Sequence, residues 1–211
     1  MMRSKSKTFK TMQDYDNFDY KNNILLGEER EKEVKRVNRV FKPDLLRAHM
    51  KTAYNYANVS YAKRLNVGAL TVSTDGSMLC GYNGMISGFP NECEYHNEDK
   101  TRIESLHAES NTVTKAAHSP VKLKNATLFV THINCIECAK IAIQSGIRRV
   151  VYEHVYRLDE GLKLLVAKGV QVIQVDMSKE PEKQIINIFN KFTPEMDAEM
   201  FYLLNYIEDN V

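Results

Sequence analysis

The chain has 211 residues, 43% of them hydrophobic, and sets 29 Lys and Arg against 27 Asp and Glu for a formal net charge of +2. That length fits one domain of roughly 100–200 residues with additions at its ends, and the near-neutral balance excludes the broad basic field by which proteins capture nucleic acid at long range. Four cysteines are too few for a disulfide scaffold and point to a reducing, cytoplasmic setting, while no segment has the apolar length of a membrane span or a secretory leader.

Residues 1–22 are polar, of mixed charge and without helical periodicity, and read as an arm that is mobile or ordered only against a neighbour. In EEREKEVKRVNRVFKPDLLRAHMKTAYNYANVSYAKR the spacing of Val34, Val37, Val40 and Phe41 predicts a helix, and Pro43 suits the first turn of a second one. VGALTVSTDGSMLCGYN sets two strand-like runs about Asp75-Gly76, a hairpin signal. A loop rich in turn residues follows (83–100). Then the pattern alternates: helix near 105–118, strand ATLFVTH, helix Cys135–Ser145, strand RRVVYEH, helix 158–168, strand VQVIQV. Such alternation predicts an α/β layer with a partly parallel sheet. The tail predicts two short amphipathic helices separated by Pro194. The chain thus divides into an arm and helix (1–42), a central domain (43–176) and a helical tail (177–211).

THINCIECAK carries Cys135 and Cys138 at a spacing shared by redox pairs, structural zinc knuckles and catalytic metal sites, and the two cysteines alone leave all three open. Upstream, at the start of the first helix after the loop, LHAES places His107 and Glu109 on either side of Ala108. If both helices begin at one edge of the sheet, His107 meets the two cysteines at a point where positive helix ends favour thiolates. One imidazole and two thiolates give Zn²⁺ three ligands and leave the fourth tetrahedral position to water, as in catalytic sites. Glu109 would lie beside that water as a proton carrier rather than a ligand.

HAE followed by CIEC resembles the cytidine and deoxycytidylate deaminase superfamily, whose signature is His-x-Glu with Pro-Cys-x-x-Cys. RLNVGALTV, GYNGMISGFPNEC and ATLFVTHINCIECAKIAIQSGIRRVVY extend the resemblance to the deoxycytidylate (dCMP) deaminases over about residues 43–176. The resemblance implies a three-layer α-β-α sandwich with a mixed five-stranded sheet and helices on both faces. It implies zinc on His107, Cys135 and Cys138, with Glu109 as general acid and base in the hydrolysis of dCMP to dUMP and ammonia, which supplies thymidylate synthesis. By the same resemblance Asn83 bonds the sugar 3′-hydroxyl, the Ala108 N–H holds the pyrimidine O2, Tyr156 caps the nucleotide and Arg64 holds the phosphate. The competing readings are a strand-edge arginine for Arg64 and packing for Tyr156. Lys63 and Arg102 are further candidates for the anion.

Asn134 stands where the family has proline before the first cysteine, and asparagine also caps a helix. Ile86 replaces a proline in the loop after GYNG, which widens that loop's conformations. The family further implies a homohexamer, activated by dCTP with Mg²⁺ and inhibited by dTTP. Cys93 and His96, with Cys80, lack a fourth ligand and read as simple thiols and a loop histidine rather than a second zinc site. Two other functions are weighed: a deaminase of the same fold acting on another nucleotide or on a base in tRNA or single-stranded DNA, and a non-catalytic metal-binding regulatory subunit. Near-neutral charge and the lack of tryptophan count against nucleic acid, and Glu109 counts against the second.

Overall fold

The structure, a computed structural model, describes residues 9–96, 98–133, 135–155 and 159–191. A short helix α1 (Met12–Asp16) opens on a capping box, in which the Thr11 hydroxyl accepts from the Asp14 N–H and the Asp14 carboxylate accepts from the Thr11 N–H. A 3₁₀ turn (Tyr20–Asn23) leads to α2 (Gly27–Val40) and then α3 (Pro43–Ala57), with Pro43 in the first turn. This is the expected helix, break, helix. Strands β1 (Gly68–Val72) and β2 (Met78–Tyr82) form the predicted hairpin, turned by Gly76 at φ +81° and by the Asp75 carboxylate accepting from the Ser77 N–H at 2.9 Å.

Two short strands, β3 (Gly84–Met85) and β4 (Ser105–Leu106), pair with each other and close the intervening loop at its base. The alternating half follows as α4 (Ala108–Ala116), β5 (Thr127–Ile133), α5 (Ile136–Gln144), β6 (Arg149–Val155), α6 (Glu160–Ala167) and β7 (Gln171–Val175), and a last strand β8 spans Ile185–Phe189. The sheet order is β2-β1-β5-β6-β7-β8, with β5, β6 and β7 parallel and the other pairings antiparallel. The fold is α/β with a mixed sheet.

Strand periodicity sorts the core onto two faces. Leu70, Phe129, Val151 and Ile173 point to one side and pack under Val37 and Phe41 at α2 and Leu46, Met50 and Ala53 of α3. Leu128, Val130, Val150 and Val172 point to the other and meet Ala108, Ala139, Ala142, Leu162 and Leu165 of α4, α5 and α6. Gly68 lets β1 pass directly beneath α3, since a Cβ there would fall 1.9 Å from the Ala53 carbonyl oxygen.

A buried polar chain ties α2 to the end of the sheet where the parallel strands begin. Gln171 accepts from Arg149 Nε at 2.7 Å and donates to Glu33 Oε1 at 2.8 Å, while the Arg149 guanidinium lies 5.2 Å from the Phe41 ring centre. All three polar residues are buried. Replacing the bridging amide strands polar groups on both sides of it, so Gln171→Leu is expected to lower unfolding free energy by about 2–4 kcal/mol. Urea unfolding of the two proteins checks this, and equal midpoints would mean that the bridge contributes nothing.

The tail departs from expectation. The first of its two predicted helices is the strand β8, antiparallel to β7, which makes the sheet six-stranded rather than five-stranded. The second, beyond Pro194, lies outside the described residues. The N-terminal segment closes the new edge, where Leu25 N–H donates to the Ile188 carbonyl at 2.9 Å and Arg30 to that of Ile185 at 2.8 Å.

Candidate active site

The ends of β1 and β2, the carboxyl end of β5 and the starts of α4 and α5 meet at one edge of the sheet. His107 is the N-cap residue of α4 and Cys135 that of α5, with Cys138 one turn further on. Gly81 of β2 permits the approach of α4, because a Cβ there would lie 2.6 Å from the Ala108 carbonyl oxygen. The first turn of α4 is then held from within the sheet. The Thr71 hydroxyl donates to that of Thr112 at 2.9 Å, and Thr112 donates to the Glu109 carbonyl at 2.8 Å. Asn111 adds a bond to the Tyr82 carbonyl at 3.0 Å.

The ligating atoms of His107, Cys135 and Cys138 lie within 4.8 Å of one another, and Cys138 Sγ is 3.3 Å from His107 Nδ1. Bonds of about 2.3 Å to sulfur and 2.0–2.1 Å to nitrogen set tetrahedral ligand atoms roughly 3.5–3.8 Å apart, so this donor set suits one zinc ion. The hydrogen bond with Cys138, with His107 assisting, draws the Cys135 thiol well below its ordinary value. The same bond, together with burial, pushes Cys138 up. His107 is raised above its ordinary value by its hydrogen bond with Cys135. The Ser110 hydroxyl lies 3.6 Å from Cys138 Sγ.

Glu109 is 6% exposed, and burial pushes its carboxyl above the ordinary range. With His107 and Ala108 it lines a cleft of about 110 Å³, whose walls include Arg64, Asn83, Glu94, Thr101 and His132. A buried carboxyl lining a cleft beside three side chains that could hold a metal can move protons on a bound ligand.

A sequence model described as the cytidine and deoxycytidylate deaminase zinc-binding region matches residues 44–154, more than half of the chain. The chain belongs to this deaminase family. Among its curated relatives, ComE operon protein 2 of Bacillus subtilis is 31% identical over 137 residues, covering 63% of this chain and 69% of that protein. The deoxycytidylate deaminase of Saccharomyces cerevisiae is 33% identical over 141 residues, covering 63% of this chain but 45% of the yeast protein. The crystal structure of dCMP deaminase from the cyanophage S-TIM5, in complex with dCMP and dUMP, aligns with a TM-score of 0.60 and 40% identity over 63% of this chain and 97% of that one.

The remaining residues expected from the deaminase resemblance fall out unevenly. Asn83 reaches the cleft wall, but its side chain is bonded within the protein: Nδ2 donates to the Leu65 carbonyl at 2.8 Å, and Oδ1 accepts from Val67 N–H at 2.8 Å and from the Ser60 hydroxyl at 2.8 Å. Arg64 also reaches the wall, whereas Arg102 stacks on Tyr95 at 4.7 Å. Tyr156 and Asn134 lie outside the described residues. Cys93 is fully buried, and His96 pairs with Glu92 at 3.1 Å. His49 is buried against Phe41 and Phe129. Sequence reasoning did not place His132 or Glu94 at the cleft. His132 stands at the carboxyl end of a parallel strand, the position where α/β sheets bind ligands, and that rule is the signal that finds it. Glu94 accepts from the backbone N–H groups of Lys63 and Arg64, a contact that nothing local predicts.

Proposed function

We propose that this deaminase hydrolyses the 4-amino group of dCMP, giving dUMP for thymidylate synthesis and ammonia. The observation that carries the reading is the buried Glu109 carboxyl at the floor of the cleft beside the convergent His107, Cys135 and Cys138. A zinc ion held by those three residues would supply Lewis acidity and lower the pKa of a water molecule towards neutrality.

Glu109 then does the proton work. Its carboxylate accepts a proton from the attacking water and delivers it to ring N3, which makes C4 electrophilic. The carboxylate then takes the remaining hydroxyl proton from C4 and gives it to the departing amine, so the 4-amino nitrogen leaves as ammonia and the water oxygen becomes the new carbonyl. One carboxyl serves both steps because it alternates between base and acid within a turnover. The Ala108 N–H, among the first donors of α4 and without a helical acceptor of its own, holds the pyrimidine O2. Asn83 shapes the sugar end by pinning the Leu65–Val67 backbone, and its second Nδ2 hydrogen serves the 3′-hydroxyl. The same reading carries a homo-oligomer with dCTP and dTTP as effectors, for which exposed Ile86, Phe89 and Ile103 beside the cleft loop offer apolar surface.

Arg64 takes the phosphate. Ammonia release from dCMP, dCTP, deoxycytidine and cytidine, assayed side by side, tests the substrate, and dCMP should be turned over fastest. Arg64→Ala should raise KM for dCMP about tenfold or more relative to deoxycytidine, because only the nucleotide carries the anion. Equal effects on the two substrates would return Arg64 to a structural role. Faster release from an oligonucleotide than from any free nucleotide would move the substrate to nucleic acid.

A further inference from the structure

The Arg64 guanidinium is already engaged by the protein itself. Its Nε donates to Asp99 Oδ1 at 2.7 Å and its Nη1 to the Thr101 hydroxyl at 3.2 Å, and its side chain is 19% exposed. One residue back along the same wall, the Lys63 and Arg64 N–H groups converge on Glu94 Oε1 at 2.9 and 3.2 Å. Two consecutive N–H groups aimed at one oxygen form a nest, a backbone arrangement that takes anions. So a nest, a guanidinium and a hydroxyl stand together in the cleft that holds His107 and Glu109, and carboxylates of this chain satisfy the nest and the guanidinium.

The two carboxylates are not equivalent. Glu94 sits at the base of its loop, where it bridges to Thr101 across the strand-like turn, next to fully buried Cys93, whose carbonyl accepts from the Arg102 N–H at 2.8 Å. Its main chain is pinned there, and its carboxylate has two backbone donors to hold it. Asp99 is on the loop's outer part, with its side chain 84% exposed and the Arg64 pair as its polar contact to the cleft. An ion pair with one partner so exposed is worth about 0–1 kcal/mol, little enough for a ligand to replace.

Charge decides what happens when a phosphate arrives. At the guanidinium itself the Asp99 carboxylate already supplies the counter-charge, which opposes a dianion for as long as Asp99 stays. We propose that Asp99 is a built-in stand-in for the substrate's phosphate: it occupies Arg64 in the free enzyme and must be displaced for a nucleotide to bind, while Glu94 stays and braces the Arg64 backbone. The proposal rests on the nucleotide reading of this cleft. Its consequence is a specificity device. The protein's own carboxylate competes with the phosphate for Arg64, so affinity for the nucleotide is held below what the arginine alone would give. Deoxycytidine, which does not use Arg64, is not subject to the competition.

Competition for binding acts on substrate and transition state alike, so it moves KM and leaves kcat in place. Asp99→Ala should lower the ratio of KM for dCMP to KM for deoxycytidine by about two- to fivefold, the range that a pair of this exposure can supply. The product dUMP, titrated calorimetrically without turnover, should bind more tightly by the same factor. A wild-type protein that neither deaminates dCMP nor binds dUMP would sink the nucleotide reading together with the stand-in. A wild type that does both, with an Asp99→Ala variant whose KM ratio and dUMP affinity are unchanged or worse, would sink the stand-in alone and make Asp99 a support for Arg64. Glu94→Gln keeps an oxygen for the two N–H groups and should retain dUMP binding, whereas Glu94→Ala should weaken it; equal loss in both would overturn the bracing role.

Discussion

Glu109→Gln is expected to lower kcat for dCMP by about 10³–10⁴-fold, towards the upper end of what general acid–base catalysis contributes, because the same carboxyl serves in two proton transfers. The amide is nearly isosteric and can still fill its buried place in the first turn of α4, so the fold should survive the change. It can neither accept the water's proton nor return one to the amine. Ammonia release, measured alongside zinc content and circular dichroism, separates loss of chemistry from loss of site. Turnover within a few-fold of wild type, with metal and fold intact, would overturn the assignment of Glu109.

Zinc content makes the second large effect. The wild type is expected to hold about one Zn²⁺ per chain, and Cys135→Ser or Cys138→Ser should each lose most of it, because a serine hydroxyl does not ionise near neutral pH as a thiol does. Cys138 is also buried in the floor between α4 and α5, next to Ala139 and Ala142 of the core, so its loss should lower the melting temperature as well as the metal. Elemental analysis of the purified variants reads the result. Wild-type zinc in both would remove the metal from these cysteines.

Much of the architecture is legible in the sequence. The helix, break and helix of residues 27–57 follow from apolar spacing and Pro43, and the β1–β2 turn follows from Asp75-Gly76. The alternating second half survives with shifts of up to three residues at helix and strand ends, where local signals are weakest. The last strand was not legible, for a specific reason. Ile185, Ile188 and Phe189 stand at i, i+3 and i+4, which is a helical template. As a strand the same spacing is accommodated by a register shift at Gln174/Val175 in its partner, and only pairing with β7 selects that outcome.

The site divides along the same line. By itself the sequence set out the candidate donors: Glu109 two residues after His107 and Cys138 one helical turn after Cys135, a pattern whose chemistry the family resemblance supplied. The tertiary structure decided what surrounds them. Asn83 is bonded to residues 16 to 23 positions away, Glu94 reaches back about 30 to the Lys63–Arg64 backbone, and Asp99 closes on an arginine 35 positions earlier. Such contacts depend on where loops return in space, which no helical or strand period encodes, and they set how the cleft receives charge.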